Sequence, residues 1–215
     1  MSEEHSELYQ LIVDGDFDEA GEATQALLDQ GLSPSQILDE NIVPAMGEVG
    51  ELFDEGEYFV PELLMSAKAA QEAMNILNPL IKASGAERQG CVIIGTVKGD
   101  MHDVGKNLVA ATLEGAGFEV VDLGCNVSPE KFVEAVQARN GAKTLVAMSA
   151  LLTTTIPQMK TTIDALAKAG LDANTKTLIG GAPVTREFAE SIGADGYSQS
   201  ANECVTVAKD LMKHW

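Results

Sequence analysis

The sequence predicts a two-part α/β protein: a four-helix bundle as an N-terminal cap, then a doubly wound domain on a five-stranded parallel sheet. Three observations carry this reading. Apolar residues recur at helical spacing from residue 6 to about 84, a stretch without a large apolar side chain follows at 82–90, and short β-branched runs then alternate with helical stretches.

Leu8, Leu11 and Ile12 mark a first helix, and Phe17, Ala20, Ala23 and Leu27 a second that Asp16 is placed to cap. Ser33-Pro34-Ser35-Gln36 reads as a capping box with proline at the first helical position, opening a third helix that Pro44 is expected to kink or interrupt. Val60-Pro61 opens a fourth through Leu63, Leu64, Ala67, Met74 and Leu77. Short connections containing glycine suit an antiparallel bundle. The expected organisation is a cap domain at 1–84, a linker at 85–89 and a second domain at 90–215. In the second domain strands are expected at 91–97, 118–123, 144–148, 176–179 and, briefly, 195–197. Helices are expected at 105–115, 129–140, 156–169, 186–192 and 202–213. Such alternation means a parallel sheet covered on both faces, of the Rossmann or flavodoxin-like type, with ligands held at the carboxyl ends of the strands.

Composition narrows the function. At 215 residues and 45% hydrophobic, the chain is long enough to bury a core. No apolar run approaches a membrane span, and the acidic start Met-Ser-Glu-Glu-His-Ser-Glu is unlike a signal peptide, so a cytoplasmic location without membrane association is the default expectation. Cys91, Cys125 and Cys204 lie far apart with no CxxC spacing, which argues against a disulfide framework, a zinc site or an iron–sulfur cluster. A net charge of -19 would repel a phosphate backbone, so no nucleic-acid partner is expected. That charge keeps the chain soluble, or matches a basic partner surface.

The most informative local pattern is Gly99-Asp100-Met101-His102-Asp103-Val104-Gly105, directly after the first strand. In an extended segment Asp100 and His102 point to one side, so the carboxylate can accept the Nδ1–H and leave Nε2 free as a metal ligand. Three other loops at the same sheet edge are distinctive: Ser149-Ala150-Leu151-Leu152-Thr153-Thr154-Thr155, Gly180-Gly181-Ala182-Pro183 and Ser198-Gln199-Ser200-Ala201-Asn202. Hydroxyls buried there would need polar partners, and paired glycines allow close approach of a flat ring. Each also has an ordinary reading, as helix N-caps or as a turn.

The order Asp-x-His-x-x-Gly, Ser-x-Leu, Gly-Gly resembles the signature of cobalamin-binding domains: 43 residues separate Gly105 from Ser149, and 28 separate Leu151 from Gly180. In detail the chain resembles the corrinoid proteins of methylamine, methanol and methoxy-aromatic methyltransferase systems, and the cobalamin module of methionine synthase. The likeness extends to the helical half, where the segment from Glu51 to Leu63 is similar to the family's cap. The resemblance implies that His102 is the lower axial ligand of cobalt, replacing the cofactor's benzimidazole, which moves into a slot between sheet and helix. Asp100 would hydrogen-bond His102, and Thr155 would hydrogen-bond Asp100, where the methionine synthase module has serine. Gly99, Met101, Asp103 and Gly105 belong to the implied cofactor loop. Ser149, Leu151 and Thr153 would lie at the displaced base, and Gly180, Gly181 and Ala201 along the nucleotide tail. Phe53 and Val60 would sit over the methyl face and Asp39 near the corrin's polar edge; for Phe53, Phe59 and Val60 the bland alternative is bundle core.

The resemblance further implies a methyl carrier, more a subunit than a stand-alone enzyme, cycling between cobalt(I) and methyl-cobalt(III) in one-carbon metabolism. Its implied partners are a substrate:corrinoid methyltransferase, a methylcorrinoid:acceptor methyltransferase using tetrahydrofolate or a thiol, and a reductive activase. His102 would detach and reattach each cycle, with proton uptake by the Asp100–His102–Thr155 unit assisting release. A cobalamin-dependent sensor, the small subunit of a cobalamin mutase and a cofactor-free flavodoxin-like domain are the alternatives. A sensor would need an output domain and a mutase subunit typically lacks the helical cap.

Overall fold

A computed structural model describes residues 6–84 and 89–215, so the acidic segment 1–5 and most of the expected linker at 85–89 lie outside the described residues. The chain forms two compact units, Met1–Arg88 with Ala111–Gly117, and Gln89–Ala110 with Phe118–Trp215.

The first unit is helical: α1 (Glu7–Asp14), α2 (Phe17–Asp29), α3 (Pro34–Ile37), α4 (Val43–Asp54) and α5 (Val60–Ser84). Leu8, Ile12, Ala20, Ile37, Ile42, Val49, Leu63, Ala70 and Leu77 recur at the helical period and are buried, which is what drives the bundle together. The expected capping box forms: Ser33 Oγ accepts the Gln36 N–H, and the Gln36 side chain accepts from the Ser33 N–H. Asp16 stands at the N-cap of α2 but makes no side-chain cap bond, so its capping role is corrected. The interruption expected of Pro44 is present, as a local change of helix type rather than a sharp kink. A π-helical turn, Leu38–Ile42, joins α3 to α4, and the Val43 N–H reaches back to the Leu38 carbonyl. Pro44 has no N–H for the Glu40 carbonyl and its ring crowds it, and the widened turn absorbs both defects.

The second unit carries β1 (Cys91–Thr96), α6 (Val104–Gly115), β2 (Glu119–Asp122), α7 (Pro129–Gln137), β3 (Thr144–Ser149), α8 (Pro157–Lys168), β4 (Thr175–Gly180), α9 (Arg186–Ile192), β5 (Gly196–Ser198) and α10 (Ala201–Lys213). The five strands are parallel in the order β2-β1-β3-β4-β5. Central strands are buried on both faces, so they read as apolar runs rather than alternating ones. On one face Ile93, Val146, Met148 and Ile179 pack with Phe132 and Val136 of α7, Met159 and Leu166 of α8, and Ala189 and Ile192 of α9. On the other, Val92, Ile94, Leu145, Ala147 and Leu178 are buried. The register aligns Thr96, Ser149, Gly180 and Ser198 in one row across the carboxyl edge, which brings the loops after β1, β3, β4 and β5 to one rim. Strand order reverses between β1 and β3, and an open α/β sheet has its ligand crevice at that point.

Candidate functional site

Asp100 sits in the crevice between the loops after β1 and β3, with no exposed surface. Its Oδ1 accepts the His102 backbone N–H at 3.1 Å and lies 2.7 Å from His102 Nδ1. Its Oδ2 accepts the Leu151 N–H at 2.8 Å, the Leu152 N–H at 3.1 Å and the Thr155 hydroxyl at 2.8 Å. Burial alone would raise the pKa of this carboxyl. The donors from Leu151, His102 and Thr155 outweigh it and hold Asp100 well below the usual carboxylate range.

The expected pairing of Asp100 with His102 is present, but extended-strand alternation is not its cause. Bonding of Oδ1 to the N–H two residues on is an Asx turn, which folds His102 back over the carboxylate. With Asp100 ionised, Nδ1 carries the proton and Nε2 presents its lone pair. The imidazole is half exposed, and Nε2 has no protein hydrogen bond among the described residues. The Thr155 hydroxyl also lies 2.9 Å from the Leu152 carbonyl, but the buried carboxylate is the stronger acceptor of its single proton.

The loop is held from the other side as well. Thr96 Oγ1 donates to the His102 carbonyl at 2.9 Å, and the Val97 N–H donates to the Ser149 carbonyl at 3.0 Å. Gly99, at φ 84, donates its N–H to Asn126 Oδ1. Asn126 and Lys106 were not among the site residues that the sequence singles out. Lys106 is 2% exposed, pairs with Asp122 and donates to Asn107 Oδ1 at 2.6 Å. The signal for Asn126 was available: it lies in a loop at the carboxyl end of β2, and asparagine tolerates the left-handed backbone it adopts.

The remaining expected residues divide. Ser149 is the partly buried last residue of β3, and Thr155 is buried at the end of the following loop against Asp100, whereas Thr153 and Thr154 are exposed. Gly180 and Gly181 have a reason internal to the fold: a Cβ on Gly180 would stand 2.8 Å from the Ser198 carbonyl oxygen, and one on Gly181 2.0 Å from that of Ala150. Ala201 is buried at the start of α10, which Ser200 caps by accepting the Glu203 N–H. Met101, Asp103 and Gly105 are exposed in the loop and first turn of α6. In the helical unit Asp39 is exposed in the π-helical turn, and Phe53 and Val60 are half-buried. Phe59 is 66% exposed, so a bundle-core role does not hold for it.

These residues fit a metal-centred planar macrocycle. One imidazole nitrogen is fixed and the other has no protein hydrogen bond among the described residues, and exposed Met101, Leu151 and Leu152 in the loops and Val104 at the start of α6 offer apolar surface to a ring face. The fold and site define a protein that presents a carboxylate-backed histidine at the switch point of a doubly wound sheet.

Comparison with known proteins agrees. Two family models, each described as a B12 binding domain, match residues 90–205 and 5–78. The chain is 41% identical over 182 residues, 84% of each chain, to dimethylamine corrinoid protein 1 of Methanosarcina acetivorans. Among solved structures it resembles a cobalamin-binding protein from Desulfitobacterium hafniense (TM-score 0.77, 32% identity, 94% of this chain and 96% of that one). It also resembles a chain of the methanol:cobalamin methyltransferase complex MtaBC from Methanosarcina barkeri (TM-score 0.80, 31% identity, 97% of this chain and 79% of that one). The chain belongs to the B12-binding corrinoid proteins of methyltransferase systems, and its cofactor is a cobalamin. Among the described residues no helix is long and apolar enough to cross a membrane.

Proposed function

We propose that this chain carries a methyl group between two methyltransferase partners, with His102 as the exchangeable lower ligand of the cobalt. When bound, the corrinoid supplies a metal that accepts a methyl group and surrenders it. Everything else is work for the protein. Asp100 holds the proton on Nδ1 and aims Nε2, and Leu151, Leu152 and Thr155 anchor Asp100 so that it keeps its place when His102 swings. Ser149, Leu151 and Thr153 would hold the cofactor's displaced base, Gly180, Gly181 and Ala201 would hold its nucleotide tail, and Gly99, Met101, Asp103 and Gly105 would complete the binding loop around His102. Phe53, Val60 and Asp39 serve the cap at 1–84, which excludes water until a partner docks.

The observation that carries this reading is the buried, five-times hydrogen-bonded carboxylate behind one half-exposed imidazole. A solvated surface loop has no need of such support. The partners proposed are a substrate:corrinoid methyltransferase, a methylcorrinoid:acceptor methyltransferase using tetrahydrofolate or a thiol, and a reductive activase. Relatives named for dimethylamine and trimethylamine make methylamines the first donors to test. Reconstituted with cobalamin, the chain is expected to turn red, with a visible spectrum that changes in His102→Ala. A folded chain that takes up no cobalamin sinks the proposal, and so does a spectrum indifferent to His102.

A further inference from the structure

We infer that Asn126, in the loop after β2, is a positioning residue that sets the reach of His102 towards the metal; the inference rests on the functional reading above. Two sides hold the His102 loop. On the β3 side the hold is the Asp100 carboxylate, which grips through its side chain. On the β2 side the hold is Asn126, which grips the backbone twice: its Oδ1 accepts the Gly99 N–H at 2.7 Å, and its own N–H donates to the Asp100 carbonyl at 2.9 Å. Gly99 and Asp100 are thus fixed immediately before the residue whose position matters.

Asn126 can do this because its own segment is anchored at both ends to β1. The Gly124 carbonyl accepts the Thr96 N–H at 2.9 Å, the Val127 N–H donates to the Thr96 carbonyl at 2.9 Å, and Val97 and Val127 form a parallel bridge. The start of the loop is tied to α6, since Asp122 pairs with buried Lys106 and takes the Gly124 N–H on Oδ1 at 2.8 Å. Between these anchors Asn126 adopts φ 52, a left-handed conformation open to asparagine, aspartate and glycine and costly for other residues. The local conformation and the amide acceptor therefore point to the same side-chain type.

Asn126 is exposed, so its bond to Gly99 adds little to global stability. Its effect lies in where the loop is held, and groups that orient a metal-binding histidine typically change ligation by roughly tenfold or more when removed. Asn126→Gly keeps the backbone conformation and deletes the acceptor, whereas Asn126→Asp keeps both.

The test reconstitutes wild type, Asn126→Gly, Asn126→Asp and His102→Ala with methylcobalamin and reads the ratio of histidine-bound to histidine-free cofactor from the visible spectrum. The expected result is a ratio about tenfold lower in Asn126→Gly, restored in Asn126→Asp, with the thermal midpoints of the apo-proteins nearly equal. An unchanged ratio in Asn126→Gly overturns the inference, as does an equal loss in Asn126→Asp. If Asn126→Gly fails to fold, amide exchange of Gly99 in the native chain decides: protection supports the bond, and exchange at the rate of a free peptide refutes it. A wild-type spectrum indifferent to His102 is a failure of the functional reading, whereas a His102-dependent spectrum that survives Asn126→Gly sinks only the role of Asn126.

Discussion

Asp100 accepts three donors on one oxygen and the backbone and ring of His102 on the other, which makes its two oxygens chemically unequal. Asn at this position has one oxygen and one NH2, and Leu151, Leu152 and Thr155 will claim the oxygen. The NH2 then faces His102, repels its backbone N–H and donates to Nδ1, so the imidazole proton moves to Nε2. Asp100→Asn is therefore expected to fold with a loss of about 2 to 3 kcal/mol in urea denaturation, since charge-assisted bonds are weakened and one buried N–H loses its acceptor, and to present an N–H where the metal needs a lone pair. Retention of histidine ligation in that variant would refute this account of the tautomer. The pairing of Asp100 with His102 was legible in the sequence because its chemistry lies in side chains two residues apart at a strand's end, whereas the part of Thr155, on a different loop, was implied only by the family resemblance. The Leu151 and Leu152 N–H groups were not legible, because a backbone donor leaves no mark on residue identity. The Asx turn escaped for a related reason: alternation in an extended strand predicts the same pairing, so the pattern could not separate the two geometries.

At the scale of elements, the five strands and the helices between them were legible, since the period changes sharply past residue 90 and both-face burial leaves unbroken apolar runs. The π-helical turn was not, because proline announces a disturbance without saying whether a helix bends, breaks or widens. The glycines of the rim show how one residue type serves two ends. Gly181, at φ 130, would bring a Cβ to 2.0 Å from the Ala150 carbonyl oxygen, so β4 can leave the sheet beside β3 only without a side chain. Gly105 has ordinary helical backbone, and a Cβ there would meet nothing within 4 Å. Gly181→Ala should lower the stability of the apo-protein by at least about 2 kcal/mol. Gly105→Ala should leave it unchanged or raise it by up to about 1 kcal/mol, while weakening cobalamin uptake, because the open space is left for the ligand rather than filled by the fold. Thermal unfolding and cofactor titration on the two variants separate these outcomes, and normal uptake by Gly105→Ala would contradict the second.

Across the whole molecule, charge is distributed unevenly: residues 1–88 hold 19 of the 33 acidic side chains but 3 of the 14 basic ones. The helical half thus folds against its own repulsion, and its tyrosines register the strain. Burial, then the hydrogen bond to Glu48, then the charges of Glu48 and Glu51, push the Tyr9 hydroxyl up to about 12. Tyr58 is raised too, by burial and then by Asp14, Glu48 and Glu62. A tyrosine in the unfolded chain loses its proton near pH 10, two units earlier than Tyr9 in the folded one. Its contribution to stability is therefore fully present below pH 10, falls between about 10 and 12, and is gone above. In that window the folded chain binds more protons than the unfolded one, so the thermal midpoint should drop with rising pH. Tyr9→Phe has no phenolic proton to lose and should flatten the drop, whatever it costs at neutral pH through the lost bond to Glu48. Raising salt to about 0.2 M shortens electrostatic reach to below about 8 Å, so it should stabilise the wild type and shrink the alkaline loss, while burial keeps part of it. If Tyr9→Phe loses stability above pH 10 as steeply as the wild type, Tyr9 is not among the groups that set the alkaline limit of the helical half.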